Sequence, residues 1–210
     1  DVEDWLGDQA GATAYFERAL TIYRELGDVP GVVGMLRGLG SVAIDRREPD
    51  RAEALLREAL ALARGSGVAW EAAAAANLLG VIAITRGDHA AAIALHEEAA
   101  AGWGALGDGG QETVARVSLA WAALATGDER RAEAAFRDGL ERSAIDDEVY
   151  AASCLEGAGC LAARRGDVTR AARLLGTAAA ERTRLGIPPR PMPQAMIDHA
   201  LATARAALPD

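Results

Sequence analysis

The stretch Leu79-Gly80-x-x-Ala83-x-x-x-Gly87-Asp88-x-x-x-Ala92-x-x-x-His96-x-x-Ala99 decides the fold of this chain, because its spacing returns from end to end. Gly7-Asp8, Gly127-Asp128 and Gly166-Asp167 repeat the central pair at about 40 residues or a multiple of it, and a period of that size marks a solenoid. Five residues beyond the glycine position stands an alanine each time: Ala12, Ala52, Ala92, Ala132 and Ala171. Four residues further on comes a bulky side chain, Phe16, Leu56, His96, Phe136 or Leu175. Three residues later a small one follows: Ala19, Ala59, Ala99, Gly139 or Ala178. Seven residues before the glycine position stand Gly40, Gly80, Ala120 and Gly159. Arg47 takes the glycine position in one copy, with Pro49-Asp50 just beyond it.

These offsets describe a helix hairpin. Residues i and i+4 share a helix face, so the alanine and the bulky residue after it point the same way. Small residues on two neighbouring helices let their backbones approach, and the bulky position fills the gap one turn on. Glycine supplies the left-handed residue that ends one helix, and the aspartate after it caps the next. The unit is therefore helix A, a tight Gly-Asp turn, helix B and a second turn, expected to be looser. That second turn also recurs, as Leu26-Gly27-Asp28, Leu106-Gly107-Asp108 and Leu185-Gly186.

Composition fits an all-helical array. Apolar residues make up 50% and aromatics 4%. Alanine, the strongest helix former, is about a quarter of the chain. No segment alternates with period two over β-branched residues, so no strand is predicted. In such an array each repeat packs only on its neighbours, and the long concave surface serves binding far more often than catalysis.

Charge narrows the partners. The net charge is −9, and all 22 basic residues are arginine. A chain with no basic run lacks the phosphate contacts that dominate nucleic-acid affinity and the polybasic patch that docks on anionic lipid. No apolar run reaches the length of a membrane span. Cys154 and Cys160 form no C-x-x-C pair and read as small buried hydrophobes in a reducing compartment. The arginine-only, alanine-rich usage points to a bacterial, cytoplasmic protein.

Several chemical signatures fail on context. Gly102-Trp103-Gly104-Ala105-Leu106-Gly107 has the G-x-G-x-x-G spacing, but it ends a helix rather than following a strand. Gly157-Ala158-Gly159 lies inside a helix. His96 stands beside Glu97-Glu98 but occupies the bulky packing position, which predicts a structural histidine. His89 and His199 have no second ligand at metal spacing. Arg46-Arg47, Arg86 and Arg164-Arg165 fall at the ends of A helices, where they offset the helix dipole. No nucleophile–base pair and no phosphate loop is present, so no enzyme, cofactor or metal is expected.

The ends carry their own expectations. Six residues precede Gly7, too few for a full helix A, so Asp1–Leu6 reads as the stump of a truncated helix and the chain as a piece of a longer protein. The predicted organisation is an array over 1–186, with a truncated first repeat 1–28 and repeats at about 29–68, 69–108, 109–147 and 148–186. A proline-rich extended linker at 187–193 and a capping helix at 194–208 complete it.

The pattern Leu-Gly-x-x-Ala-x-x-x-Gly-Asp-x-x-x-Ala-x-x-x-Phe-x-x-Ala resembles the tetratricopeptide repeat, in a form lengthened from its usual 34 residues to about 40. The resemblance implies a right-handed all-α superhelix of about four and a half hairpins plus the capping helix. The longer form with Leu-Gly-Asp at its exit, and the ending from Ala171 to Leu208, resemble arrays in MalT-like, LuxR-type and AfsR-type bacterial regulatory ATPases. Nothing in the chain matches their ATPase or helix-turn-helix regions.

In the family, helix A lines the ligand groove. Carried over by position, the groove would hold Arg37, Asn77, Val117 and Glu156; then Ser41, Val81, Trp121 and Cys160; then Asp45, Thr85, Ala125 and Arg164. Members that clamp a peptide carboxylate cluster lysine, arginine and asparagine, and of these positions Arg37 and Asn77 suit. Trp121 is the candidate aromatic anchor, its alternative being a packing role between A helices. The expected function is non-catalytic binding of a protein, a peptide or a small inducer as the sensor arm of a bacterial transcriptional regulator, in contact with other domains of the parent chain. The alternative is a free-standing scaffold. The stump near Trp5 and Leu6 would leave an apolar end through which two copies could pair.

Overall fold

The computed structural model describes residues 9–146, 148–186 and 191–207, and among them it contains ten helices and no strand. These are α1 (Gln9–Leu26), α2 (Val29–Asp45), α3 (Pro49–Ser66), α4 (Ala69–Thr85), α5 (His89–Ala105), α6 (Gly109–Thr126), α7 (Glu129–Asp146), α8 (Glu148–Arg164), α9 (Val168–Leu185) and α10 (Pro191–Ala207). Each of α1 to α9 packs on its successor, and the even-numbered helices also pack on one another. That is the layering of an α-α solenoid: α2, α4, α6 and α8 are the A helices of an inner layer, and α1, α3, α5, α7 and α9 are the B helices outside it. The expected stump Asp1–Leu6 lies outside the described residues, as do Gly7-Asp8 and 187–190.

Both kinds of turn close in the same way. Gly87, Gly127 and Gly166 end A helices at φ 77°, 82° and 78°, while Gly27, Gly67, Gly107 and Gly186 end B helices at φ 65–74°. In each class the amide after the glycine reaches back to the carbonyl five residues earlier, Asp88 to Ala83 at 2.9 Å and Asp28 to Tyr23 at 3.0 Å. The exit turn is therefore no looser than the Gly-Asp turn, because both use the left-handed glycine stop. Arg47 at φ 59° is the one non-glycine residue with positive φ among the described residues. The aspartates cap as the spacing predicts: Asp28, Asp88, Asp108, Asp128 and Asp167 each accept the amide three residues on.

The small and bulky positions interlock. A Cβ added at Gly40 would stand 2.6 Å from Leu56, one at Gly80 2.6 Å from His96, and one at Gly159 2.7 Å from Leu175. The bulky B residue thus sits directly on the backbone of its own A helix. The two phenylalanines also reach the A helix that follows, Phe16 against Gly38 and Phe136 against Gly157. Ala52, Ala92, Ala132 and Ala171 are fully buried beside them. Cys154 and Cys160 are free and buried, and burial pushes both thiols up to about 12.

The final helix, α10, packs on α9 and α8 through Ile197, Ala200 and Ala204, taking the place that a next helix A would occupy. It starts at Pro191, inside the stretch read as extended linker. Prolines in a first turn cost little, since those amides have no helical partner anyway.

Candidate functional site

The inner wall of A helices holds the matched positions, and its two halves differ. Over α2 and α4 the matched positions reach solvent. Arg37, Ser41, Asn77 and Val81 are half-buried, and Asp45 and Thr85 are exposed. Arg37 crosses from α2 to α4, its Nε donating to Glu71 at 2.6 Å while its guanidinium lies 5.4 Å from the ring centre of Trp70. Trp70 in turn donates Nε1–H to Asp108 at 2.9 Å and meets Trp103 edge-on at 6.1 Å. Asn77 turns its Oδ1 to His96 Nδ1 at 2.9 Å. That contact places the ring proton on Nδ1 and leaves the Asn77 amide donors for the groove.

Over α6 and α8 the wall is filled. Val117, Trp121, Glu156 and Cys160 are all buried. Trp121, 3% exposed, spans to α8, where its Nε1–H donates to Ser153 at 3.0 Å, and it stacks edge-on against Phe136 at 5.1 Å. Glu156 is held by Arg182 of α9, and the paired carboxylate raises the Arg182 pKa. Arg164 is exposed but donates to the Leu124 carbonyl at 2.9 Å, tying α8 to α6. Val117 and Glu156 are therefore buried rather than lining an open groove, and Trp121 takes the packing role between A helices that was its alternative. Ala125 stays half-buried at the edge.

His96 is the structural histidine that its position predicts. It is wholly buried, its Nε2 has no partner, and burial lowers its pKa to about 4. The arginines at the A-helix ends act as bridges between hairpins: Arg86 pairs with Asp50 and Glu53, and Arg165 with Glu129 and Glu133. Sequence reading missed Trp70, Glu71, Ser153 and Arg182. Each meets its partner on another helix, 26 to 38 residues away, at a separation the 40-residue pattern does not mark. Among the described residues no group of His, Cys, Asp and Glu could hold a metal ion, and no helix is long and apolar enough to cross a membrane.

Period, left-handed glycine stops and interlocked small and bulky positions together define a tetratricopeptide-repeat solenoid. Residues 32–64 and residues 71–145 each match a family model described as tetratricopeptide repeat, and over those residues the chain is built of such repeats. No curated protein matches the sequence. Solved structures do match in fold. One is a kinesin-light-chain candidate from Podosopora anserina with nearly identical TPR-like repeats, at 16% identity and TM-score 0.68, covering 88% of this chain and 91% of that one. Another is BtubC (BKLC) from P. vanneervenii, at 19% identity and TM-score 0.66, covering 97% and 94%. A third is a Rap protein complexed with Competence and Sporulation Factor, at 20% identity and TM-score 0.66, covering 95% of this chain and 60% of that one. Tetratricopeptide repeats are in general non-catalytic scaffolds for protein binding.

Proposed function

We propose that this chain binds a protein or peptide through the inner strip of α2 and α4, and that in its parent it is the sensor arm of a bacterial transcriptional regulator. The observation that carries the binding reading is the difference within the inner wall. Among the described residues the side chains of Ser41, Val81, Asp45 and Thr85 make no bond to a neighbouring helix and leave a solvent-reached strip, whereas Val117, Trp121, Glu156 and Cys160 on α6 and α8 are consumed by packing. The strip is apolar at Val81, polar at Ser41 and Thr85, and flanked by the Arg37–Glu71 pair, a mixture that suits a peptide backbone with one small apolar side chain. The Rap protein, similar in fold, is complexed with Competence and Sporulation Factor, which supports this choice over a purely structural array. The regulator reading rests on the long repeat and its closing helix.

The test is a random-peptide display selection on the chain, followed by isothermal titration of the recovered sequences. Ser41→Arg and Val81→Arg should each abolish binding without unfolding the chain. Peptides that bind those variants as tightly as the parent sequence would overturn the inner-strip assignment. The regulator reading fails if the parent gene encodes neither a nucleotide-binding ATPase nor a helix-turn-helix.

A further inference from the structure

A second surface lies outside the inner wall, in the grooves between successive B helices. Two such clefts, of about 340 and 350 Å³, occupy the same position two repeats apart. The first runs between α3 and α5 over α4, the second between α7 and α9 over α8. Their walls correspond: Glu53 and Arg57 of the first match Glu133 and Arg137 of the second, and Arg86 matches Arg165.

Matched geometry and matched charge hide a difference in how the arginines are paired. Three arginines and two carboxylates line each, Arg57, Arg64, Arg86, Glu53 and Asp88 in the first and Arg137, Arg165, Arg170, Glu133 and Asp167 in the second. In the first cleft every wall arginine is occupied: Arg57 by Glu53, Arg64 by Glu98, and Arg86 by Glu53 and Asp50. In the second, Arg165 is held by Glu129 and Glu133, but the guanidinium groups of Arg137 and Arg170 make no hydrogen bond or ion pair among the described residues. Both stand close enough to help lower the Glu133 pKa, after the larger effect of Arg165. The apolar part of the wall differs as well. Leu60 is buried in the first cleft, while its counterpart Leu140 in the second is 37% exposed.

We propose that the α7–α9 cleft docks an acidic peptide segment, whose carboxylates pair with Arg137 and Arg170 while a leucine-like side chain enters over Leu140. The site is distinct from the inner strip and does not depend on it. On a chain of net charge −9 it sets two unpaired arginines beside an exposed leucine, which matches carboxylates and an apolar side chain in a partner.

The probe is a fluorescein-labelled synthetic peptide of about a dozen residues, with two leucines set among glutamates, followed by fluorescence anisotropy. Saturable binding is expected, weakened about tenfold or more by Arg137→Glu with Arg170→Glu, and weakened also by Leu140→Asn. Arg57→Glu in the first cleft and Val81→Arg on the inner wall should leave it unchanged. The substituted side chains are exposed or half-buried, and circular dichroism checks that each variant stays helical. The proposal is overturned by no saturation below about 1 mM. It is equally overturned by indifference to the double arginine variant, by equal binding of a leucine-free polyglutamate, or by loss of binding in Val81→Arg, which would move the site to the inner wall.

Discussion

The two halves of the inner wall follow one repeat and reach opposite ends. Over α2 and α4 the wall keeps a polar strip open to solvent, and over α6 and α8 it is packed shut. At positions that hold Ser41 and Val81 in the first half, the second places Trp121, whose ring crosses to Ser153. At the bulky B position the first half has His96 bonded to Asn77, and the second has Phe136 wedged against Gly157. Position in the repeat fixes which way a side chain faces. Its volume, set against that of the residue opposite in the next repeat, decides whether the face is groove or core.

The largest expected effect tests whether Trp121 is core. Trp121→Ala removes a buried ring and strands the Ser153 hydroxyl, and should cost about 3–5 kcal/mol in urea unfolding. Val81→Ala, at the matched position of the open half, should cost about 1 kcal/mol or less. Equal losses would erase the distinction between the halves.

Acid should find the first half before the second. The native chain holds His96 neutral down to about pH 4, while the unfolded chain takes up its proton near pH 6.5. The unfolded state therefore binds more protons between those values, and stability falls by about 3 kcal/mol as the pH drops from 6.5 to 4. His96→Leu copies Leu56 in the neighbouring hairpin and should remove most of that slope. A slope unchanged in His96→Leu would mean that carboxylates such as Glu53, whose pKa is lowered chiefly by its hydrogen bond to Arg57, control the acid limb instead.

Much of the hairpin was legible, for local reasons. Helix stops, aspartate caps and the alanine and bulky positions are all set by residues within one or two turns of each other, so a single period exposes them. Whether the wall is open or closed is set across repeats, where Arg37 meets Glu71 in the open half and Trp121 meets Ser153 in the closed one. One such rule was present in the sequence and went unread. Where the bulky position is phenylalanine, the facing residue of the next helix A is glycine, as with Phe16 and Gly38 or Phe136 and Gly157. Where it is Leu56 or His96, the corresponding residues are Leu78 and Ser118.

That rule gives a substitution whose sign depends on place. Gly157→Ala drives a methyl into the buried Phe136 ring and should cost about 1–3 kcal/mol. Gly176→Ala, exposed on α9 with nothing near its Cβ, should instead stabilise by about 0.5–1 kcal/mol through helix propensity. Equal loss at both sites, read by thermal unfolding, would show that contact with the Phe136 ring is not what distinguishes Gly157 from an exposed helical glycine.

The smallest effect separates two exposed residues at one position of the repeat. Arg164 and Thr85 both end A helices, and burial does not distinguish them. Arg164 reaches across to the Leu124 carbonyl, while Thr85 bonds only to the Ile82 carbonyl of its own helix. The Leu124 carbonyl also accepts the Gly127 amide at 3.2 Å, so Arg164 adds a second, charge-assisted bond worth about 1 kcal/mol, and Arg164→Ala should lower stability by about that amount. Thr85→Ala should change it by less than about 0.5 kcal/mol. The difference reports whether the closed half is tied together along its edge as well as through Trp121. If Arg164→Ala is silent, the closed half is held through its buried packing, Trp121 included, and not along its edge.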